Sequence, residues 1–384
     1  MKKRKAIKTF KIYNSANNLP TEWDLIAQNN IFLSTSYLLV LEKSAPTNMQ
    51  CNFIGIFKNE ELVGISLTQF LNLNLLESFG ERDNCIKTSV RNFVFKNYCS
   101  HVLFVGNNML TGQNAFAKSD DISTIEIMEV LELAVENLKI QFKQQKTKIH
   151  LTVFKDFDTK TSVEINSVLK DYYKFTTQPN MLFSIPKDWK TEQDYINALS
   201  KKYRDQYKRA RKKIVDVEKR KLSCEEIKKY ESTINELYHH VAKNAPFNTF
   251  FLANNHFCEF KKTLDDNFLF YGYFLNDKMI GFNTLIKNGK AMDTYFLGYD
   301  DTIQREKMLY LNMLYDMNAY SIKKEFKEIV FARTALEIKS SVGAKPEEMF
   351  GFLKHSNPLI DKGISKLFCY LEPKTEWKER NPFK

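Results

Sequence analysis

The 384-residue sequence has no apolar run long enough to cross a bilayer as a helix. Its charged opening, Met1-Lys-Lys-Arg-Lys, is not followed by an apolar stretch, which argues against a secretory signal. Cysteine is scarce and scattered. Cys51, Cys85, Cys99, Cys224, Cys258 and Cys369 include no Cys-x-x-Cys pair. Neither a disulfide framework nor a zinc site is expected, and the thiols read as reduced residues of a cytosolic protein. The six histidines also lack metal-ligand spacing. His239 and His240 are adjacent and would leave a helix on different sides.

What the chain does hold is an echo of itself. Phe53-Ile-Gly-Ile-Phe-Lys-Asn-Glu-Glu-Leu-Val-Gly-Ile65 is answered by Phe270-Tyr-Gly-Tyr-Phe-Leu-Asn-Asp-Lys-Met-Ile-Gly-Phe282. At one fixed offset Phe53 matches Phe270, Gly55 matches Gly272, Phe57 matches Phe274, Asn59 matches Asn276 and Gly64 matches Gly281. Each copy is a hairpin pattern, two alternating runs around a polar turn. Two copies, each followed by a helix and a strand, argue for a duplicated fold.

The length favours two or three domains, and an apolar content of 43% suffices for real cores. A net charge of +11 implies affinity for an anion: nucleic acid, anionic lipid or a phosphate-bearing cofactor. The 31 Phe and 18 Tyr suit an apolar pocket and equally suit ordinary cores.

The pattern predicts a strand near Thr9–Tyr13, helical stretches within Glu22–Leu41 and the hairpin 51–69. A strand follows at His101–Val105, then a helix opened by the capping box Ser123-Thr-Ile-Glu126 and running to about Gln144. A strand at Lys148–Phe154, a short helix at Val163–Leu169 and a strand ending at Ile185 close the first half. The second half predicts a basic helix over 191–213, a strand at Ile214–Lys219 and helices at 225–243 and 255–265. Strands then fall at 268–275, 279–286 and 291–297, a helix at 303–324 and a strand at Glu328–Ala332. A short helix follows Thr334, with another helix at Pro346–Lys354 and a last strand around Ser365–Leu371. Strands and helices alternate in both halves, so each is α/β. The boundary falls near Pro186.

This order of elements resembles the GCN5-related N-acetyltransferase fold, and two tandem copies resemble the FemABX-type peptidyltransferases and their acyltransferase relatives. Asp194-Tyr195-x-x-x-Leu199-Ser200-x-Lys202-x-Arg204 through Arg211 is similar to the basic helix before that family's second domain. Glu337-Ile-Lys339-Ser-Ser-Val-Gly343 is similar to its late Lys-x-x-x-Gly segment, whose lysine reaches the active site. Single-domain members carry a Gln/Arg-x-x-Gly-x-Gly/Ala phosphate loop. The equivalent turn here, Asp300-Asp-Thr-Ile-Gln-Arg305, has no glycine to let the backbone wrap a pyrophosphate and places two acids where phosphates would sit.

The resemblance implies two tandem GCN5-related N-acetyltransferase-like domains, each a mixed, largely antiparallel sheet flanked by helices. They would span 1–186, non-catalytic, and 187–384, catalytic. It implies an N-acyltransferase with no permanently bound cofactor, using acyl-CoA or an acyl-carrier-protein thioester as donor. The acceptor would be a primary amine, a sphingoid- or capnine-like long-chain base of bacterial lipid synthesis. Such an enzyme would sit in the cytoplasm, or peripherally against an anionic inner membrane face. Two other readings stay open: tRNA-dependent aminoacyl transfer to a peptidoglycan precursor, and a non-catalytic RNA-binding protein.

The segment Phe331–Lys339 ends a strand, where open α/β sheets place ligands. Acyl transfer to an amine needs a proton acceptor and a cation or donor for the oxyanion. Glu337 suits the first role, Lys339 or Arg333 the second. The same residues also read structurally, Thr334-x-x-Glu337 as a capping box and Arg333–Glu337 as an i,i+4 ion pair. Asp293 and Tyr295 share one face of a strand, and a buried acid there needs a partner or a purpose. With His239, Asn244 and Tyr273 they form the candidate substrate-binding set; the histidine also reads as a helix C-terminal cap favoured by the dipole. In the basic helix, Ile196, Leu199, Tyr203, Tyr207, Ala210 and Ile214 form an apolar stripe. Lys201, Lys202, Arg204, Lys208, Arg209 and Arg211 are its candidate anionic-surface contacts, with RNA, a membrane surface or an acidic patch of the protein itself as counter-charge.

Overall fold

The computed structural model describes residues 8–28, 30–75, 96–244, 248–366 and 377–384. They divide into two compact units, neither continuous in sequence. The first takes the described residues of Met1–Thr177, Thr249–Ala253 and Glu348–Lys374; the second takes those of Gln178–Asn248, Asn254–Glu347 and Thr375–Lys384.

Strands are numbered in chain order. The first unit holds β1 (Lys8–Tyr13), β2 (Met49–Lys58), β3 (Glu61–Asn72), β4 (His101–Val105), β5 (Phe116–Lys118), β6 (Leu151–Phe157), β7 (Tyr173–Thr176) and β15 (Phe350–His355). Its sheet runs β1-β2-β3-β4-β6-β15-β7, with β5 beside β3. The second unit holds β8 (Asn180–Ser184), β9 (Val217–Lys221), β10 (Phe268–Leu275), β11 (Lys278–Asn288), β12 (Ala291–Tyr299), β13 (Glu328–Ala332) and β14 (Lys345–Glu347). Its sheet runs β9-β10-β11-β12-β13-β8-β14.

The two paths match place for place. In each, the first three pairings are antiparallel, the fourth is parallel (β4 with β6, β12 with β13), and the last two are antiparallel. The repeated hairpins occupy the second and third places of their sheets. Asn59 and Glu60 turn with φ of 52° and 72°, Asn276 and Asp277 with 49° and 60°, the left-handed pair of a type I′ turn. A bulge follows at the same point in each copy, between Ile56 and Phe57 and between Tyr273 and Phe274. Gly281 is repeated for a packing reason. A Cβ there would lie 2.8 Å from Met313 Cε and 2.9 Å from Leu309 Cδ2 of the helix above, and one on its twin Gly64 would collide with Ile127.

The helix over the first sheet, Thr124–Gln144, opens on the Ser123–Glu126 capping box and buries Ile127, Leu131, Ala134, Leu138 and Phe142 in that unit's core. The second core gathers Met292, Leu309, Met313, Leu314, Ile329 and Phe331 between its sheet and the helix Leu309–Lys323.

Three sequence expectations are corrected. The split at residue 186 does not hold, because β8 pairs with β13 and β15 pairs with β6, so each sheet takes its sixth strand from the opposite half of the chain. The segment Pro346–Lys354 is not a helix. Its alternation sends Phe352 into the first core, 6.2 Å from the Phe157 ring, as part of β15. The basic helix is two, Glu192–Ala198 and Lys201–Lys213, broken where Leu199 turns to extended backbone. Of the expected last strand, Ser365 and Lys366 are helical and 367–371 lie outside the described residues. Among the described residues no helix is long and apolar enough to cross a membrane, and no group of three metal-ligating side chains occurs.

Candidate active site

In the second sheet the parallel pairing is short. It joins Ala291 to Glu328, Met292 to Ile329 and Asp293 to Val330, while β12 continues to Tyr299 and β13 to Ala332. The two strands part beyond Asp293. A cavity of about 850 Å³ opens among the residues that follow their carboxyl ends, the place where α/β sheets bind ligands. Met308 and Leu311 come from the β12 side. Thr334, Leu336, Glu337 and Ile338 come from the β13 side. The basic helix adds Lys202, Tyr203 and Gln206, and the chain end adds Trp377 and Arg380.

The turn after β13 is unusual backbone. Ala332, Thr334 and Ala335 have φ of 59°, 68° and 47°, conformations that side-chain-bearing residues seldom adopt. Lys339 holds this turn from inside. Its Nζ donates to the carbonyls of Arg333 at 2.5 Å and Ala332 at 3.3 Å. The side chain is buried, and burial pulls the ammonium down to about 7.

Both structural readings of this segment are corrected. Helix Leu336–Ser340 starts from a left-handed Ala335, with no side-chain cap from Thr334. Arg333 lies before that helix, so no i,i+4 pair forms; its Nε donates to the Gln178 carbonyl at 3.2 Å. Glu337 instead meets Arg380, whose Nε and terminal nitrogen both reach one carboxylate oxygen. The chain end is anchored around this contact. Arg380 N donates to Ser340 Oγ at 3.0 Å, Ser200 N to the Pro382 carbonyl at 2.8 Å, and the Phe383 ring stacks on Phe183 at 5.9 Å.

The turn corresponding to a phosphate loop is helical. Asp300 accepts from Thr302 N and starts the helix Asp301–Lys307, and a left-handed Met308 joins it to Leu309–Lys323. Asp301 accepts from Asn244 Nδ2 at 3.0 Å. These residues do not fit the pyrophosphate of a coenzyme A bound in the usual way, because the Asp300 carboxylate already takes the Thr302 amide at the helix start and no glycine lets the backbone close on a phosphate.

The apolar stripe of the basic helices belongs to the second core: Leu199, Tyr203 and Ala210 are buried there, with Ile196, Tyr207 and Ile214 packed beside them. That face is therefore not available to lie in a bilayer, which corrects the interfacial reading. Arg211 is no surface contact either. It bridges Glu192 at 2.8 Å and Asp316 at 2.7 Å. Asp316 also accepts from the Tyr273 hydroxyl at 2.8 Å. Tyr273 is fully buried, and burial first, then the Asp316 carboxylate, raise its pKa well above the ordinary value. Arg204 donates to the Leu199 carbonyl at 3.0 Å. Lys201, Lys202, Lys208 and Arg209 stay exposed, joined by Lys212 and Lys213.

The remaining candidates lie elsewhere. Asp293 is buried, its Oδ2 has no hydrogen-bond partner, and burial pushes its carboxyl up to about 7. The Tyr295 hydroxyl is 3.0 Å from His256 Nε2, its ring stacked on Phe260. His239 sits on helix Glu231–Asn244, its pKa lowered by burial and then by Lys243. Asn244 ties that helix's last turn to Asp301. Of the sequence candidates only Glu337 and Lys202 line the cavity. Arg380, Trp377 and Gln206 were missed, since no local spacing links the chain end to the 333–339 segment. Tyr203 and Gln206 lie where the apolar stripe meets the basic face, the one signal that pointed to them.

No family model and no curated protein sequence matches the chain. Among solved structures, FemX aligns with a TM-score of 0.54 and 12% identity, covering 96% of this chain and 100% of its own. A conserved protein of unknown function from Bacteroides thetaiotaomicron aligns with a TM-score of 0.50 and 11% identity, covering 90% and 99%. At such identities the likeness is one of fold. The chain has the FemX-type architecture of two tandem GCN5-related N-acetyltransferase-like domains.

Proposed function

We propose that the second unit is an N-acyltransferase, moving an acyl group from an activated carbonyl donor to a primary amine. The observation that carries this reading is the cavity among the residues that follow β12 and β13, with Glu337 on its wall. Glu337 accepts the proton that the attacking amine must lose. Arg380 holds that carboxylate from one side and supplies a cation on the same wall to meet the oxyanion. Lys339 positions the turn on which Glu337 stands, without itself lining the cavity. Arg333 braces the same turn against Gln178.

The first unit supports the chemistry only as a partner fold. Its parallel pair stays together through Val105 and Phe154. The loop that follows is held by Lys155, whose Nζ donates to the carbonyls of Asn107 at 2.8 Å and Leu110 at 3.1 Å.

For the acceptor, a long-chain base is supported by the apolar part of the wall, with Tyr203, Met308, Leu311, Leu336 and Trp377. For the donor, the helical turn at Asp301–Lys307 disfavours a coenzyme A pyrophosphate. The exposed Lys201, Lys202, Lys208 and Arg209 favour a carrier with many negative charges. An acyl carrier protein meets that need, and so does tRNA, which the resemblance to FemABX-type peptidyltransferases implies. That second reading, aminoacyl transfer to a peptidoglycan precursor, rests on this cationic face.

One experiment separates them. Labelled acyl thioester is supplied with a sphingoid-like amine, and charged tRNA with a peptidoglycan precursor. The expected outcome is an amide from one pair and none from the other. No amide from either, with protein shown to be folded, overturns transferase function and leaves salt-dependent RNA binding as the reading to measure.

A further inference from the structure

Two thiols outside the proposed chemistry lie against each other. Cys224 opens the helix Cys224–Lys229, and Cys258 lies in the helix His256–Leu264. Their Sγ atoms are 3.5 Å apart, a contact between residues 34 positions apart in sequence. Cys224 Sγ is also 3.8 Å from the Cys258 carbonyl oxygen. Both helices are fixed by packing rather than left to drift. Ile227 of the first and Phe257, Phe260 and Leu264 of the second are buried, and Ser223 and Glu226 form a capping box at the first. Both cysteines are partly exposed, whereas Cys51 is buried.

We propose that Cys224 and Cys258 are a reversible dithiol–disulfide modification site, oxidised by a small-molecule disulfide. A disulfide has an S–S length of about 2.05 Å, so the two sulfurs must approach by roughly 1.5 Å from their 3.5 Å separation. The Cys224 thiolate attacks one sulfur of the oxidant, forming a mixed disulfide and releasing the other half as a thiolate. The Cys258 thiol then loses its proton to solvent and attacks Cys224 Sγ, forming the intrachain bond and expelling the second half. Two protein thiols are oxidised and one external disulfide is reduced to two thiols. Burial, then the hydrogen bond with Cys224, raise the Cys258 thiol to about 11, which agrees with Cys258 as the second nucleophile. The bond would join two helices whose only chain connection runs through residues 230–255. It would also pin the helix whose His256 holds the Tyr295 hydroxyl.

The test uses the full chain incubated with glutathione disulfide, followed by alkylation, intact mass and peptide mapping. The expected product has lost two hydrogens and shows Cys224 linked to Cys258, with Cys51 still alkylatable after unfolding. Dithiothreitol should restore the dithiol, and the oxidised form should melt several degrees higher. Cys258→Ser should stop at a glutathione adduct on Cys224, and Cys224→Ser should form no intrachain bond to Cys258. The proposal is overturned if wild type accumulates stable glutathione adducts, links either residue to another cysteine, or keeps both thiols while an unfolded control is oxidised. None of these readouts depends on acyl transfer, so the dithiol site and the proposed function stand or fall separately.

Discussion

The carboxylate of Glu337 is held by the guanidinium of Arg380, 43 positions further along the chain. Their side chains are 50% and 30% exposed, so solvent screens the pair and it adds little to stability. Its value lies in placement, because both residues line the cavity. A carboxyl group fixed from one side and facing the cavity suits an amine acceptor that must give up a proton.

Glu337→Gln keeps the side chain's size and its hydrogen-bonding capacity. The unfolding midpoint in urea should move little, by less than about 1 kcal/mol in free energy. Turnover in the amide-forming assay should fall by about two to four orders of magnitude. Retained turnover would mean that another group takes the proton.

Lys339→Met tests the turn. The lysine has a folded value of about 7 against an ordinary 10.5. Between those two pH values the unfolded chain binds a proton that the folded one does not, so this residue makes stability rise with pH across that window. The slope reaches up to about 1.4 kcal/mol per pH unit. Wild type should therefore gain on Lys339→Met between pH 7 and 10 in parallel urea titrations. A constant difference would show that the ammonium is not desolvated. The carbonyls of Ala332 and Arg333 lose their donor, and misplacing Glu337 by about 1 Å should cost turnover on the order of 100-fold.

Asp293 gives the opposite sign. Burial raises its carboxyl from 3.8 to about 7, with Glu328 adding to the effect and a hydrogen bond from Asn288 opposing it. The folded state holds the extra proton between those values, so the residue's contribution is complete below pH 4 and lost as pH rises through 7. Asp293→Asn carries no such loss, and its stability relative to wild type should improve steadily from pH 4 to pH 7. Turnover should be unchanged, because Asp293 does not line the cavity. A collapse of turnover would return it to the substrate-binding set.

The legible features were the local ones. Asn59 and Asn276-Asp277 announce their turns because left-handed positions favour Asn and Asp, and the alternation around them fixes two strands of each sheet. Ser123 and Glu126 announce a helix start because the cap is built within four residues. Strand exchange was not legible. Nothing within Asn180–Ser184 or Phe350–His355 says which sheet each joins, since a partner in another half leaves no spacing to read. The site failed for a related reason. The i,i+4 rule paired Glu337 with Arg333, but the rule requires both residues on one helix, and that helix begins at Leu336. Arg380 reached Glu337 from a chain end that no motif covered.

The basic helix offers the last test, because its cations divide into two classes that charge counting alone would merge. Arg211 is tied to Glu192 and Asp316 beside the buried Tyr273 hydroxyl. Arg211→Ala leaves the Asp316 carboxylate with the Tyr273 hydroxyl and, as a cation, the longer Lys219 contact at 3.4 Å. It should destabilise the second unit by a few kcal/mol. Lys208 and Arg209 are exposed, and replacing both with Ala should change stability by less than about 0.5 kcal/mol each. If the donor rides on tRNA, the double variant should bind it more weakly. Its plot of log affinity against log salt should be shallower by about 0.7 to 0.9 for each phosphate contact removed. Unchanged tRNA affinity in the folded double variant, together with unchanged amide formation, would remove this face from donor recognition. Weaker tRNA binding with amide formed only from the thioester would make that binding incidental, and would give the donor site to the cavity wall at Met308, Leu311 and Trp377.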